Sequence, residues 1–424
     1  MQRHGTVDLD PMPSADPADP YNWPKSKKEV HLALVAFHAL MATFTAAALS
    51  SALVPMAHDL HVSLQRASYI ISLAVAVQGC APLLWRPLAN RYGRRPIFLL
   101  SLICSLAGNV GCAKSPTYGT MVLCRVISAF FISPAAAIGT AVVSETFFKH
   151  ERGTYMGIWT VMVTCGVPTG PFLFGFVAQR VNYRWIYWIL AMVNGIQLML
   201  GYLFSPETLY MRDAADTPVR PNHWWCLNFR PIDPRPLTLL DIVYPFRYIL
   251  SPRVCFPAIS YAMIFLWASV MPTNIIPQIF PVKFHLNVQQ IGLQFLSVII
   301  GSLIGEQMGG RVSDWWMYRY RRNKTGPDSE KAPPRRPEHR LWLAYLGFVL
   351  SIIGVVVFLV QVGRAGSNWN ITPLVGVTIA CVGKQLITTV LITYAVDCYR
   401  TDAAAVGVFI VFVRQIWGFI GPFW

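Results

Sequence analysis

Charge is what this 424-residue chain has least of. Only 13% of its residues are charged, and acids are the scarcer kind, with 20 Asp and Glu against 35 Lys and Arg. A soluble domain carries about 25% charge, so this share beside 54% hydrophobic residues excludes a soluble globular profile. The nine cysteines are scattered, without a Cys-x-x-Cys or a ligand-spaced His cluster, which argues against a zinc site and a disulfide framework. No nucleophile stands with a base and no paired His-rich motif occurs, so neither a membrane enzyme nor a cofactor is expected. The first 29 residues also lack the short apolar core of a signal peptide.

Long apolar runs are what the chain does have. They lie near 31 to 56, 68 to 85, 97 to 113, 120 to 145, 155 to 178 and 186 to 204, then near 254 to 279, 290 to 310, 341 to 361, 371 to 396 and 403 to 424. Each is close to the ~20 residues of a bilayer span, so the expected fold is an all-α polytopic membrane protein. Residues Trp85 to Pro96 form a short basic turn between two of these runs, with Gly93 permitting the reversal. Arg91, Arg94 and Arg95 mark a membrane surface there, because arginine enters hydrocarbon only at high cost.

The net charge of +15 follows topology. With the N-terminus in the cytosol, about 26 basic residues fall inside and about 6 outside (Arg66, Lys114, Arg180, Arg184, Lys283, Arg364). That bias needs no nucleic-acid partner; the expected surroundings are the lipid bilayer, by default the plasma membrane. Asn370-Ile371-Thr372 is a glycosylation sequon on a loop this topology places outside.

Residues 1 to 29, rich in Asp and Pro, read as a disordered cytosolic tail. Residues 30 to 204 then form a six-helix bundle, 205 to 252 a cytosolic linker, and 253 to 424 a second bundle of five spans. In the first bundle Arg125 lies about two turns into the fourth run, followed by Phe130 and Phe131, and the run closes with Glu145. Either Glu145 or Glu151 is placed to pair with the turn arginines. The fifth run repeats small residues and prolines (Gly166, Gly170, Pro171, Gly175), a pattern for close helix packing and a kink. The chain's last residues echo it, and Gly310 to Asp314 echo the basic turn, which points to two related halves. The second half carries the intramembrane charge: Glu306, Lys384, Asp397 and Arg414. Such groups are functional candidates by default.

These motifs together resemble the major facilitator superfamily, in its fungal drug:proton antiporter branch. The turn is similar to that family's loop motif at Arg91, Gly93, Arg94 and Arg95, Arg125 to its fourth-span motif, and Gly166, Gly170, Pro171 and Gly175 to its antiporter motif. Asp19-Pro20-Tyr21-Asn22-Trp23-Pro24, Glu151-Arg152-Gly153, Arg184-Trp185-Ile186 and Pro206-Glu207-Thr208 resemble further pieces. Gly305-Glu306-Gln307, Asp314-Trp315-Trp316 and Tyr394 to Tyr399 resemble the histidinol and polyamine permease group. Two positions depart: Arg86 and Asn90 stand where the motif has Gly and Asp. Losing that aspartate forfeits about 0.3 to 1 kcal/mol of charge–dipole energy, so a weaker gate is expected at this turn.

The resemblance implies two six-helix bundles moving a small organic solute by alternating access, as a monomer coupled to protons. With eleven runs and an end at Trp424, the twelfth helix is expected to be missing. Substrate contacts are expected from Arg125, Phe130, Phe131, Asn274, Lys384 and Tyr394, and proton coupling from Glu306 first and Asp397 second. Gating is expected from Asn90, Arg91, Gly93, Arg94, Arg95, Glu145 and Asp314. Export of a drug or secondary metabolite is favoured over uptake of polyamine-like cations, since Lys384 and Arg414 repel cations. The alternatives are an uptake permease, an inactive truncated transporter or a non-transporting receptor.

Overall fold

The computed structural model describes residues 13–14, 16–210, 231–232, 236–309, 338, 341–399 and 402–423. No strand occurs among them, and eleven helices are long and apolar enough to cross a membrane. They are α1 (Lys25–Asp59), α2 (Leu64–Tyr92), α3 (Arg94–Lys114), α4 (Tyr118–Thr146), α5 (Thr154–Arg180), α6 (Arg184–Phe204), α7 (Pro252–Phe284), α8 (Val288–Gly309), α9 (Leu341–Arg364), α10 (Thr372–Cys398) and α11 (Ala403–Ile420). Every apolar run of the sequence lies on one of them, as the high cost of an unpaired backbone group in lipid requires.

Two expectations need correction. The reversal near residue 90 is far shorter than Trp85 to Pro96, because α2 stays helical to Tyr92 and α3 begins at Arg94. Pro87 does not break α2, and Pro96 lies in the first turn of α3, where a missing N–H costs nothing. Gly93 alone makes the turn, at φ 98°. Residues 13–14 and 16–29 are also not disordered. Asp19 caps a short 3-10 turn, Pro20–Asn22, and Asp19, Tyr21 and Trp23 are buried. The Tyr21 hydroxyl donates to the Ser144 carbonyl at 2.5 Å, and its ring stacks on Phe148 at 5.0 Å. A short polar segment escapes disorder here because preformed partners at the end of α4 offset the entropy of ordering it.

The chain divides into two compact units. The first comprises Met1–Ala46, Cys80–Val167 and Arg184–Val243; the second comprises Ala47–Gly79, Pro168–Tyr183 and Tyr244–Trp424. The core of the first unit gathers Leu32, Val35, Trp85, Phe98, Ile138, Val142, Phe147 and Trp159. In the second, one cluster centres on Tyr248, Tyr261, Leu386, Val390 and Phe409, and another on Ile276, Phe280, Phe295, Phe358 and Val377. Small residues set how close its helices come. A Cβ on Gly175 of α5 would sit 2.9 Å from the Gly292 Cα of α8, and one on Gly354 of α9 would sit 2.3 Å from the Ala380 nitrogen of α10. In hydrocarbon, such backbone contact replaces the missing hydrophobic drive between helices.

Proline shapes α7. Pro272 has no N–H for the Ala268 carbonyl four residues back, and the helix widens into a π turn at Leu266–Val270. The freed Ala268 carbonyl accepts the Cys381 thiol of α10 at 3.6 Å. This junction places Tyr261 and Phe265 just before the widened turn.

Gly354→Leu tests the α9–α10 contact. Its side chain must displace backbone, which costs about 1–3 kcal/mol, so the detergent-purified variant should unfold at a visibly lower temperature than Gly363→Leu, whose Cβ meets open space. Equal melting temperatures would refute the packing role.

Candidate functional site: an end cluster and a mid-membrane charge cluster

In the first unit the residues around Gly93 form a polar cluster at one end of the helices. Gly93 donates its N–H to the Ala89 carbonyl at 3.1 Å, ending α2. The first N–H groups of α3 then need acceptors, and Glu207, just past α6, supplies its carboxylate. It accepts from the backbone N–H of Arg94 at 2.8 Å, Arg95 at 3.0 Å and Leu209 at 2.9 Å. A negative group at this helix start also meets the positive end of the dipole. A Cβ on Gly93 would lie 2.4 Å from Glu207 Oε2, so glycine is needed for the approach as well as for the backbone angle. Burial lifts the Glu207 carboxyl above the ordinary 4.5, outweighing the pull of its three backbone donors.

Arg94 joins two helices to this cap. Its Nη1 donates to Asn90 Oδ1 and its Nη2 to Glu145 Oε1, both at 2.7 Å, while the Thr208 hydroxyl donates to Glu145 Oε2 at 2.8 Å. The ion pair is mostly buried, with Arg94 6% and Glu145 20% exposed. Glu145 rather than Glu151 is thus the partner of the turn arginine. Arg95 Nη2 donates to the Tyr202 carbonyl at 3.0 Å, and the Arg91 carbonyl accepts the Ile232 N–H at 2.7 Å.

Arg125, 1% exposed, lies deeper in the same unit. Its Nη2 donates to the Thr45 carbonyl at 2.5 Å and the Ala46 carbonyl at 2.8 Å, where the first helical segment of α1 ends at Ala47. These carbonyls lack helix partners, so the guanidinium works as a C-terminal cap. Its Nε and Nη1 have no hydrogen-bond partner among the described residues.

The second unit holds a charge cluster drawn from four helices. Glu306 of α8 accepts from the Gln385 amide of α10. Gln385 is the central residue of the 27-residue α10, about 20 Å from either end, so Glu306, near the described end of α8, meets α10 at its middle. Lys384, its neighbour in sequence, is 8% exposed and close enough to act through its charge on both Glu306 and Tyr261. Arg414 of α11 donates from Nη1 to the Tyr261 hydroxyl of α7 at 3.0 Å, and its guanidinium lies 4.8 Å from the Phe265 ring centre. Thr388 reaches the same hydroxyl, and its own hydroxyl donates to the Lys384 carbonyl at 2.8 Å. Two cations thus meet around one phenol, and one of them, Lys384, also lies beside Glu306.

The profile of the Major Facilitator Superfamily matches residues 35–422. The chain belongs to that superfamily. Among named relatives, the MFS-type transporter hepF of Aspergillus oryzae is 27% identical, over 96% of this chain and 84% of its own length. The efflux pump radE of Floropilus chiversii is 24% identical, over 96% and 76%. Among solved structures, the xylose transporter XylE from E. coli in a partially occluded inward-open conformation superposes with a TM-score of 0.62 at 14% identity, covering 94% of this chain and 91% of that one. That likeness carries the fold. The protein is a multi-pass membrane transporter of small solutes.

Within this facilitator the expected site residues separate into groups. Glu306 and Lys384 meet as described. Tyr394 lies ten residues beyond Lys384 on α10, about 15 Å away, and bonds with Cys398 near the helix end; Asp397 lies further still. Phe130 and Phe131 pack on Trp85 at 5.2 and 5.7 Å between ring centres, and Trp85 Nε1 donates to the Phe130 carbonyl at 2.9 Å, so these rings belong to the core of the first unit. Asn274 is half-buried, four residues past the π turn. A Cβ on Gly166 would meet Leu40 O at 2.6 Å, and Gly170 is buried. Pro168 and Pro171 lie inside a helix that continues through both. Asn370 is exposed and its Oδ1 accepts the Thr372 N–H at 3.2 Å. Asp314 lies outside the described residues.

Sequence reasoning missed Tyr261, which bridges the two cations, and gave Glu207 and Thr208 no role. Glu207 was visible only as part of a family-like tripeptide, and nothing in its neighbours announces a cap for a helix 113 residues earlier.

Glu207→Ala leaves buried N–H groups without an acceptor and should cost about 1–3 kcal/mol, read as a lower unfolding temperature in detergent. The pH dependence has a definite sign. With its native value raised, the folded state holds the Glu207 proton more firmly than the unfolded chain. Its contribution to stability therefore falls as pH rises from about 4.5 through the raised value. Glu207→Gln should flatten that part of the stability profile; an unchanged profile would show that other groups produce it.

Proposed function

We propose that this facilitator is a secondary active transporter that exports a small organic solute by alternating access, coupled to protons through Glu306. One observation carries the reading: a carboxyl bound by the amide at the middle of α10 and lying beside a cation. Of the acids in the described spans, Glu306 is the one that meets the middle of a neighbouring helix, through Gln385 of α10. A carboxyl kept in hydrocarbon at such cost is suited to taking up and releasing a proton. Relatives named as efflux pumps favour export.

In this reading residues 30 to 204 and 253 to 424 move as two related bundles joined by the linker of residues 205 to 252. The Arg94–Glu145–Glu207 cluster serves as an inner gate, locked by an ion pair and a helix cap. Asn90 supports that gate by accepting from Arg94, a neutral substitute for the missing aspartate. The protein works as a monomer in the plasma membrane, with its N-terminus in the cytosol and Asn370 outside and open to glycosylation.

The test uses purified protein in liposomes of known orientation with an imposed pH gradient. Flux is followed for aromatic solutes of each charge class. Glu306→Gln should remove at least 90% of the gradient-driven flux of any solute that moves, while exchange of the same solute at equal pH persists, because only the proton step is lost. Unaltered gradient-driven flux in the variant would end the assignment of Glu306. Movement of no solute by the wild type would count against export itself.

A further inference from the structure

We infer that the solute of this transporter is an organic anion, an aromatic or amphipathic carboxylate bound by Lys384 and Arg414 against Tyr261 and Phe265. The inference rests on the transporter reading and adds the charge class of the solute.

It starts from charge. Lys384 and Arg414 bring two positive charges to the Tyr261 hydroxyl, and Glu306 brings one negative charge, so the cluster carries a surplus of one cation at mid-membrane depth. Glu306 already takes the Gln385 amide. The Lys384 ammonium has no hydrogen-bond partner among the described residues, although the residue is only 8% exposed. Arg414 spends one nitrogen on Tyr261 and leaves Nε unpartnered. The buried Arg414 Nε is costly without an acceptor in an apolar surrounding, and an acceptor with negative charge serves both cations.

The same cluster offers a surface for the rest of such a molecule. Arg414, Thr388 and Phe265 are half-exposed, so an approach is open on their side. The Phe265 ring offers an apolar face, and Thr388 offers a hydroxyl for a second polar group. A cationic solute would meet two like charges against one opposite charge.

Charge also couples this binding to energy. With one anion bound and Glu306 ionised, the site sums to zero and crosses the bilayer at the lowest electrostatic cost. The emptied site carries one positive charge, or two with a proton on Glu306, and an inside-negative membrane potential draws it back inward. Export of an anion therefore draws on the electrical part of the proton gradient as well as on its pH part.

A matched series on one aromatic scaffold tests this: 2-naphthoate, neutral 2-naphthamide and cationic 2-naphthamidine, each measured for binding to the full chain in nanodiscs and for flux in oriented liposomes. The naphthoate should bind at least about 10-fold more tightly than either of the others. Lys384→Gln should erase that preference, and Lys384→Arg should restore most of it. Equal or tighter binding of naphthamidine, failure of naphthoate to bind, or an unaltered preference in a folded Lys384→Gln variant would each overturn the anion assignment. The two readings fail separately. Flux that favours naphthamidine leaves the transporter standing and removes the anion, whereas naphthoate that binds and is never moved in either orientation keeps the site and removes the transporter.

Discussion

The cost of holding a charge or an unpaired backbone group in hydrocarbon governs where nearly everything polar in this chain lies. Backbone groups are satisfied inside eleven helices. Where a helix starts or stops under cover, a side chain from elsewhere completes it: Glu207 caps the start of α3, and Arg125 caps the helical segment of α1 that ends at Ala47. Arg94 and Glu145 are mostly buried, and they are bound to each other and to Asn90 and Thr208. A lone partner left in such a place would be expensive, so the group stands or falls together.

Against that rule the cluster at Glu306, Lys384 and Arg414 is the exception, and the function we propose accounts for it. Structural needs are met around it without charge: α9 and α10 pack through glycines, and the broken ladder of α7 is relieved by Cys381. Tyr261 binds one cation directly and feels the other, which makes it the hinge of the arrangement. The π turn beside it gives α7 a local geometry that an uninterrupted helix would not offer. Charge placed where it is least stable, with donors left unmatched, is what a binding site for a transient partner requires.

The fold was legible because hydrophobic length is a one-dimensional signal, and each span is visible by itself. The sorting of Lys and Arg sets the orientation that the sequence leads one to expect, and the mid-span charges drew attention by type alone. What remained hidden depends on which helices touch. Glu207 reads as an ordinary exposed acid until α3 is placed above it. Tyr394 and Lys384 are both expected near the solute, yet ten residues separate them along α10. Phe130 and Phe131, expected near the solute from the family resemblance, pack on Trp85, a contact the sequence does not announce. The apparent turn from Trp85 to Pro96 shrank to a single glycine because one residue with a positive φ suffices to reverse the chain, and neither Pro87, inside α2, nor Pro96, in the first turn of α3, stops its helix.

The central claim is that one mid-membrane charge cluster binds the solute and carries the proton. Transient currents on a solid-supported membrane, recorded after a rapid 2-naphthoate jump across a range of pH, test it most directly. The account predicts a current whose pH dependence disappears in Glu306→Gln and whose amplitude collapses in Lys384→Gln. Currents with the same amplitude and pH dependence in both variants as in the wild type would contradict it.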